Sequence, residues 1–430
     1  MTHERTFAGN ERLDSRTWVT VPEPPGPVPV RSMLAKALVR RAQHRLAMKV
    51  VSRGPEAGDD GTVALGAAVP TLYLRRPESF YRRLGADGMI GFGEAFQAGD
   101  WDSDDLGALL TVLVASVDRI VPPSLQRLRG HRAAPRRPRS EQQTVEGALS
   151  NARRHYALPD GLFRAFMDET MCYSSAIFPI DGDGQVLADS ESLATAQRRK
   201  IDRLLDLAAV GDGTRLLEIG TGWGELAVRA AQRGALVHTV TNLAEHAEMA
   251  GERISEAGLA DRIRLQVADY RDVAAEPASF DVIVSVEMVE AVGRQYWPAY
   301  FQKLDSLLAP RGRVGLQTMT MPHDRMLRTS TTYTWTDKYV FPGGLLPSIE
   351  AIEQTLASVT ALRITDRFSF GSHYAATLGV WRARFNQNWE LVADLGFDEV
   401  FRRTWNFYLG MSEAGFAAGY LDVHQLLLAR

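Results

Sequence analysis

A short apolar strand that leads directly into a glycine-rich turn and a helix limits the fold of this chain more than any other feature. Residues 216–219 have the composition of a buried parallel strand. Gly220, Gly222 and Gly224 crowd the turn that follows, and helical spacing returns at residues 225–231. Glycine tolerates backbone angles that side chains forbid, and it lets a ligand approach the main chain closely. We therefore expect the first unit of a nucleotide-binding α/β fold.

The spacing of these glycines narrows the kind of ligand. A dinucleotide site has Gly-x-Gly-x-x-Gly, whereas this chain has Gly-x-Gly-x-Gly preceded by Glu218. The run Glu-x-Gly-x-Gly favours S-adenosylmethionine, which has no pyrophosphate and whose amino-acid end and ribose would lie over the glycines. Gly-x-Gly alone also occurs in plain tight turns, so the rest of the chain has to support this interpretation.

Strands and helices alternate after the glycine turn. Strands are predicted at residues 235–241, 263–267, 280–286 and 313–319, with helices at 243–257 and 296–308 and a turn at 309–312. This alternation indicates a mainly parallel sheet with its ligand at the carboxyl ends of the strands. A helix predicted at 192–207, capped by Ser190 or Ser192, leads into the glycine strand.

Polar residues at the ends of two predicted strands suit the same ligand. Thr241 and Asn242 stand where many nucleotide folds place a ribose-binding acid, and both side chains can form hydrogen bonds. After the third strand, Tyr270 can stack on an adenine, and Asp269 can accept a hydrogen bond from its amino group.

Length and composition exclude several classes of protein. A chain of 430 residues is expected to form two domains, and a net charge of −3 gives no indication of a nucleic-acid partner. The single cysteine, Cys172, cannot form an internal disulfide and suits a reducing compartment. We find no apolar signal sequence and no apolar run of about 18 residues, so we expect a cytoplasmic protein without a membrane-spanning helix.

The first third of the chain has its own organisation. Residues 1–30 are expected to be disordered, residues 31–124 to form a compact α+β module, and residues 125–142 to form a basic linker. A basic amphipathic helix is predicted at 33–51. It either binds an anionic membrane surface or is an ordinary solvated surface helix. The linker's charge likewise suits either solvation or attraction to phospholipid head groups.

Seven motifs resemble those of the cyclopropane fatty acid synthases and the related mycolic acid methyltransferases. They are found at residues 173–176 (YSSA), 217–224 (LEIGTGWG), 269–272 (DYRD), 285–293 (SVEMVEAVG), 339–348 (YVFPGGLLPS), 372–378 (SHYAATL, with Trp381) and 407–409 (FYL). The resemblance implies a class I S-adenosylmethionine-dependent methyltransferase fold, with a mainly parallel seven-stranded sheet, at residues 143–430. It makes residues 31–124 a lipid-engaging domain.

The resemblance also implies an activity and partners. Family members transfer a methyl group from S-adenosylmethionine to the double bond of an unsaturated phospholipid acyl chain. We therefore expect peripheral association with the anionic inner face of the cell membrane, a homodimer and no metal.

Several residues match family positions that touch the cofactor. These positions are Tyr173, Ser174, Gly220, Gly222, Thr241, Asn242, His246 and Tyr270. Two of them have a plain alternative, because His246 also suits a surface helix and Tyr173 suits a packed loop.

The predicted base site departs from the family. There, a bound bicarbonate takes a proton and is held by a cysteine, a glutamate, a histidine, a main-chain group beside an isoleucine, and a tyrosine. The glutamate and tyrosine are kept as Glu290 and Tyr408, while the other three positions hold Ser175, Gln317 and Met319. Serine and glutamine can hold an anion but supply no titratable imidazole. Bicarbonate is therefore bound differently here or not at all, and Glu290 either orients the anion, acts as the base, or is a structural carboxylate.

This altered site favours one branch of the superfamily. Direct proton loss from the added methyl group closes a cyclopropane, whereas a preceding hydride shift leaves an exocyclic methylene. The altered base favours the second route, which gives 10-methylene acyl chains that a separate reductase converts to 10-methyl branched fatty acids such as tuberculostearate. The alternatives are an ordinary cyclopropane synthase, a non-catalytic lipid- and cofactor-binding protein, and a small-molecule methyltransferase.

Overall fold

The structure is a computed structural model that describes residues 21–52, 69–120, 147, 158–274 and 276–430. The basic linker predicted at 125–142 lies outside the described residues. The same holds for residues 1–20 and for nearly all of a helix expected at 145–156.

The amino-terminal part contains five helices and a small three-stranded sheet among its described residues. The helices are α1 (Pro29–Arg45), α2 (Pro77–Asp87), α3 (Met89–Gln97), α4 (Leu106–Ala115) and α5 (Val117–Ile120). The strands are β1 (Lys49–Ser52), β2 (Thr71–Leu74) and β3 (Trp101–Asp102). Strand β2 lies in the centre, parallel to β1 and antiparallel to β3.

The predicted bounds of the helix at residues 33–51 are wrong at both ends. Helix α1 begins at Pro29, where a proline suits the first turn, and ends at Arg45. Val50 and Val51 belong to β1 instead and pair with Leu72 and Tyr73. Side chains that branch at Cβ, such as valine, favour a strand when a partner strand is available.

The carboxyl-terminal part is a seven-stranded sheet flanked by helices. Its strands are β4 (Arg215–Ile219), β5 (Leu236–Thr241), β6 (Ile263–Val267), β7 (Phe280–Val286), β8 (Leu308–Thr320), β9 (Arg363–Ser369) and β10 (Asp422–Ala429). The helices in chain order are α6 (Asp160–Phe166), α7 (Leu193–Leu207), α8 (Glu225–Gln232), α9 (Ala244–Glu256), α10 (Val289–Val292), α11 (Trp297–Leu307), α12 (His323–Thr329), α13 (Trp335–Tyr339), α14 (Ile349–Val359), α15 (Gly371–Gln387), α16 (Trp389–Asp394) and α17 (Glu399–Ala417).

The strand order places the site. The order is β6-β5-β4-β7-β8-β10-β9, and β4 to β8 run parallel while β10 runs antiparallel to its two neighbours. The order in which strands are added to the sheet therefore reverses between β4 and β7. A ligand crevice forms at the carboxyl ends of the two strands on either side of such a point. The turn predicted at 309–312 lies within β8, where the pairing with β7 shifts register.

Helix α17 joins the two parts of the chain. Phe407 packs against Phe92, Phe96 and Trp101, with ring centroids 5.7–6.4 Å apart. Polar contacts add specificity, since Gln97 Nε2 donates to Thr404 Oγ1 at 2.9 Å. The amino-terminal part thus shares a hydrophobic core with the helix that carries the predicted site residue Tyr408.

None of the helices in the described parts of the chain combines the length and the hydropathy that crossing a bilayer requires.

Candidate active site

The glycine turn after β4 leaves its main chain open. Gly220, Gly222 and Gly224 have φ values of 97°, 51° and 90°, a region that favours glycine. Gly220 is exposed and Gly222 is partly exposed, and a Cβ at Gly222 would meet no atom within 4 Å. A Cβ at Gly224 would lie 3.1 Å from that of Ala250, so this glycine lets α8 pack closely on α9. An exposed main chain at the end of a central parallel strand fits S-adenosylmethionine.

The predicted residues after β5 border this turn. Thr241 Oγ1 accepts a hydrogen bond from the Leu243 amide at 3.2 Å, and Asn242 is partly exposed. His246 is buried and packs against Trp223, with ring centroids 4.2 Å apart and ring planes tilted by 35°. Burial lowers the pKa of His246 to about 4, so the imidazole is neutral at physiological pH. The plain alternative of a solvated surface position therefore does not hold for His246.

The residues after β6 have local partners. Although burial opposes it, three hydrogen bonds from Arg271 hold the pKa of Asp269 below its usual range. Tyr270 is buried with its ring edge-on to Tyr300, and burial raises its pKa to about 12. Tyr270 Oη has no hydrogen-bond partner among the described residues. Adenine binding by Asp269 and Tyr270 stays a prediction.

The loop at residues 171–178 is attached to helices α7 and α15. Ser174 is buried, and its Oγ accepts from Lys200 Nζ at 2.6 Å. The amide of Ala176 donates to Thr377 Oγ1 at 3.1 Å. A similar bond joins the next part of the loop to α15, since the Phe178 amide donates to His373 Nδ1 at 3.1 Å. These bonds fix the loop where Ser175 meets the sheet.

Ser175 and Gln317 come together at the predicted anion site, and both donate to a carboxylate of the chain itself. The Ser175 amide and Gln317 Nε2 donate to Glu287 Oε1 at 3.0 and 2.9 Å. Tyr374 Oη donates to Glu287 Oε2 at 2.9 Å. The sheet register explains the meeting, because Val286, just before Glu287, pairs with Gln317. The Gln317 amide group that we expected to hold bicarbonate is therefore already in use, and the Ser175 hydroxyl donates to the Ala176 carbonyl at 3.1 Å.

Glu290 lies beside this group on α10. Its Oε1 accepts from the Met319 amide at 2.6 Å and from Thr318 Oγ1 at 2.9 Å. Its buried Oε2 has no hydrogen-bond partner among the described residues. Burial, together with the nearby charge of Glu287, raises the pKa of Glu290 to about 8. Burial also raises the pKa of Glu287. Two carboxyl groups that each disfavour a charge can together hold a proton near neutral pH.

Tyrosines and other aromatic rings complete the site. Tyr408 Oη and Tyr173 Oη are 2.9 Å apart, so the structure brings these two predicted residues together. Tyr408 packs edge-on against Phe341 and Trp405, and Tyr173 packs against Trp381 at 5.3 Å. Aromatic faces near an anion can stabilise a carbocation.

Three functional residues escaped prediction from the sequence. Glu287 and Tyr374 lie inside quoted motifs, and the spacing of Glu287 three residues before Glu290 was the available signal. Lys200 is buried, and its charge acts on both Glu218 and Glu287. It belongs to a run of three basic residues that resembles the polar face of a helix, so no sequence pattern marks it as buried. Cys172 contacts Thr170 and does not replace Ser175 in this network.

The buried carboxyl of Glu218 predicts an unusual pH dependence of stability. Burial raises its pKa to about 8, and Thr239 Oγ1 donates to it at 2.5 Å. A raised pKa in the folded state contributes stability below the unfolded pKa, and this contribution is lost as the pH rises through about 8. We expect the free energy of unfolding to fall by at least about 1 kcal/mol between about pH 5 and pH 8.

In Glu218→Gln the fall should be smaller, because the amide cannot titrate. Urea unfolding at both pH values measures this fall in the free energy of unfolding. Titration of Glu290 accounts for part of the pH dependence that remains in the variant. An equal slope in the variant and the parent protein would contradict the expected pKa of Glu218.

Known proteins match this fold and these motifs. The family model for mycolic acid cyclopropane synthetase matches residues 143–426. Tuberculostearic acid methyltransferase UfaA1 of Mycobacterium tuberculosis is 47% identical over 100% of this chain and 99% of its own length. Cyclopropane-fatty-acyl-phospholipid synthase of Escherichia coli is 31% identical over 90% of this chain and 93% of its own length.

Solved structures agree with the topology. The cyclopropane synthase MmaA2 from Mycobacterium tuberculosis has a TM-score of 0.58 and 30% identity, and the match covers 66% of this chain and 98% of that chain. The mycolic acid cyclopropane synthase CmaA1 in complex with SAH and CTAB has a TM-score of 0.57 and 29% identity, with the same two coverages. The predicted resemblance and the predicted methyltransferase fold are confirmed.

Proposed function

The chain belongs to the mycolic acid cyclopropane synthetase family, and on that premise we propose that it methylates the double bond of an unsaturated phospholipid acyl chain, of the oleoyl type. The methyl donor is S-adenosylmethionine, and the proposed product is a 10-methylene acyl chain on the way to a 10-methyl branched fatty acid. The full-length similarity to a tuberculostearic acid methyltransferase supports this branch. A reductase would complete the branched product.

One observation carries the choice of product. The site has two carboxyl groups, Glu287 and Glu290, and it lacks a titratable imidazole at Gln317. A base site built differently from the one that closes cyclopropane rings supports a different route of proton loss. The aromatic surroundings of Tyr173 and Tyr408 support a cationic intermediate of the acyl chain.

Different residues bind the cofactor, exclude water and accept the proton. When bound, S-adenosylmethionine supplies an activated methyl group, so the protein has only to align, exclude water and handle a proton. Gly220, Gly222 and the residues after β5 would hold the cofactor. The aromatic residues beside Tyr408 keep the acyl chain's reacting carbons out of water. Glu287 and Glu290 supply negative charge and a proton acceptor.

We also place the protein on the anionic inner face of the membrane as a peripheral protein. On α1, Val30 and Met33 are 64% and 63% exposed. Arg31, Lys36 and Arg40 are exposed on the same helix. Exposed apolar residues among basic ones suit the boundary between head groups and acyl chains.

Transfer of labelled methyl groups to vesicles tests the proposed activity. Vesicles of dioleoyl phosphatidylglycerol should take up label from methyl-labelled S-adenosylmethionine, and vesicles of the saturated distearoyl lipid should take up none. Label in both lipids, or in neither, would contradict methylation of a double bond.

Substitution of Gly222 should weaken cofactor binding selectively. In Gly222→Ala, the methyl group enters the open space beside the turn at a φ of 51°. We expect the Kd for S-adenosylhomocysteine, measured by calorimetry, to rise at least about tenfold, a loss of about 1.4 kcal/mol. Gly213→Ala is a matched control, because Gly213 has a φ of 71°, has no atom near its Cβ position and lies at the opposite end of β4. An equal Kd change in both variants would remove Gly222 from the cofactor site.

A further inference from the structure

We infer that the carboxylate of Glu287 is itself the anion of the active site and accepts the proton that the reaction releases, in the place where the family resemblance implies bicarbonate. This inference rests on the proposed methylation of an acyl double bond. It assigns a role to a residue that neither motif matching nor the sequence pattern had singled out.

Two of the five positions expected to hold the bound anion direct a donor to Glu287 instead. Ser175 and Gln317 stand at the cysteine and histidine positions of the bicarbonate site, and the Ser175 main-chain amide and Gln317 Nε2 both donate to Glu287 Oε1. Tyr374 donates to the other oxygen. A second anion within reach of these donors would meet the Glu287 carboxylate, and the two like charges would repel. Bicarbonate therefore does not fit this set of donors.

A chain of hydrogen bonds orients Gln317 toward the carboxylate. Arg203 Nη1 donates to Gln425 Oε1 at 2.7 Å, and Gln425 Nε2 donates to Gln317 Oε1 at 3.1 Å. Since its amide oxygen is occupied in this way, Gln317 presents its NH₂ group to Glu287. An amide held in this orientation stabilises a carboxylate but cannot take up the proton, which leaves that role to Glu287.

The backbone at Glu287 is held in a strained conformation. Its φ is 49°, in the left-handed region that few residues other than glycine adopt. Its amide donates to the Gln317 carbonyl at 2.8 Å, which anchors it to β8 just after the end of β7. Such a conformation is energetically unfavourable and persists where the surroundings impose it, commonly at functional sites. Here it accompanies the contacts that direct the carboxylate toward Ser175, Gln317 and Tyr374.

Glu287 and Glu290 differ in exposure. Glu290 is buried, whereas Glu287 is enclosed by protein yet keeps some accessible surface. A group that takes a proton from a substrate needs such access. Glu287 also has three hydrogen-bond donors and the nearby charge of Lys200 to support its anionic form. We assign the charge to Glu287 and an orienting role to Glu290.

The proposed step conserves atoms and electrons. The alkene electron pair forms a C–C bond to the methyl carbon. The C–S bond breaks at the same time, and the electron pair of the C–S bond stays on sulfur. A hydride then shifts between the two former alkene carbons, which moves the cation to the carbon that bears the new methyl group. The methyl group loses a proton to a Glu287 oxygen, and its C–H electron pair becomes the exocyclic double bond. The protonated carboxyl of Glu287, which keeps some accessible surface, returns its proton to solvent before the next turnover.

Two variants and an anion test this assignment. Glu287→Gln keeps the size of the side chain and should lower turnover at least about a hundredfold, as expected for loss of a general base. Glu287→Gly removes the carboxylate at a φ that glycine adopts freely, so it should fold and leave room for an anion. Added bicarbonate or formate should restore its turnover at least tenfold. Ala209→Gly, at a φ of 57° in the loop before β4, controls for relief of backbone strain and should leave turnover unchanged.

A binding measurement separates this inference from the proposed function. Carbon-13 NMR of labelled bicarbonate should show no saturable binding to the parent protein and clear binding to Glu287→Gly, whether or not any lipid is methylated. Parent turnover in carbonate-free buffer should equal that with added bicarbonate. Stimulation of the parent protein by bicarbonate overturns the assignment, as does Glu287→Gln turnover within about threefold of parent, or a Glu287→Gly variant that neither binds nor responds to the anion. Absence of methyl transfer by the parent protein, with the binding result as expected, instead refutes the proposed function.

Discussion

Glu290→Gln should lower turnover at least about a hundredfold and leave cofactor affinity unchanged. Glutamine keeps an oxygen that can accept from Met319 and Thr318, so the local fold is retained. It cannot ionise or hold a proton, however, so the electrostatic coupling between the two carboxyl groups is lost. Methyl transfer under multiple-turnover conditions measures the loss, and calorimetry with S-adenosylhomocysteine measures the affinity.

Thr318→Val is the matched control for this variant. It removes the hydroxyl that donates to Glu290 Oε1 at 2.9 Å but keeps the bond from the Met319 amide and the titratable carboxyl. We expect a loss of turnover of less than about tenfold, the equivalent of a neutral hydrogen bond. Near-normal turnover in Glu290→Gln would make this residue a structural carboxylate and remove it from the mechanism.

Gly93→Ala should destabilise the protein by about 1–3 kcal/mol, because it overpacks the contact between the two parts of the chain. Gly93 lies on α3, and a Cβ there would come within 2.4 Å of the Trp335 ring and 2.8 Å of the Phe407 ring. Both rings are buried and cannot move away without disturbing α17. Because α17 also carries Tyr408, turnover should fall together with stability.

Gly251→Ala is a control of opposite sign. Gly251 lies within α9, and a Cβ there would meet only Leu265, at 3.9 Å. Alanine in an open helical position typically stabilises a protein by about 0.5–1 kcal/mol. Urea unfolding should therefore place the two variants on opposite sides of the parent protein. Equal stability of Gly93→Ala and the parent would contradict the close packing of α3 on α17.

The sequence predicted the elements that have a strong periodic signal. The five parallel strands β4 to β8 and the helix capped by Ser192 were found because their apolar runs, glycines and caps are local features. Strands β9 and β10 were not located. Most of β9 is exposed and its residues include three charged ones, so no apolar alternation marks it. Its place in the sheet depends on pairing with β10, which lies more than 50 residues further on.

The site was predicted in outline but not in its central feature. Motif matching placed Ser175, Gln317, Met319, Glu290 and Tyr408 in one neighbourhood. The structure connects Ser175 and Gln317 through Glu287, the Met319 amide to Glu290, and Tyr408 to Tyr173. The direction of the Glu287 side chain depends on a left-handed backbone angle, which nothing in the sequence around a glutamate signals. The partners of that carboxylate come from three distant segments of the chain, so only the fold could reveal it.

Proton NMR of the lipid product tests whether the enzyme forms an exocyclic methylene group or a cyclopropane ring. The protein is incubated with S-adenosylmethionine and oleoyl phospholipid, and the lipid is extracted. Methylene and cyclopropane products have the same mass, so their proton signals decide between them. The proposed route predicts vinylic signals of an exocyclic methylene group. Upfield cyclopropane signals would contradict it and would mean that this site removes the proton before any hydride shift.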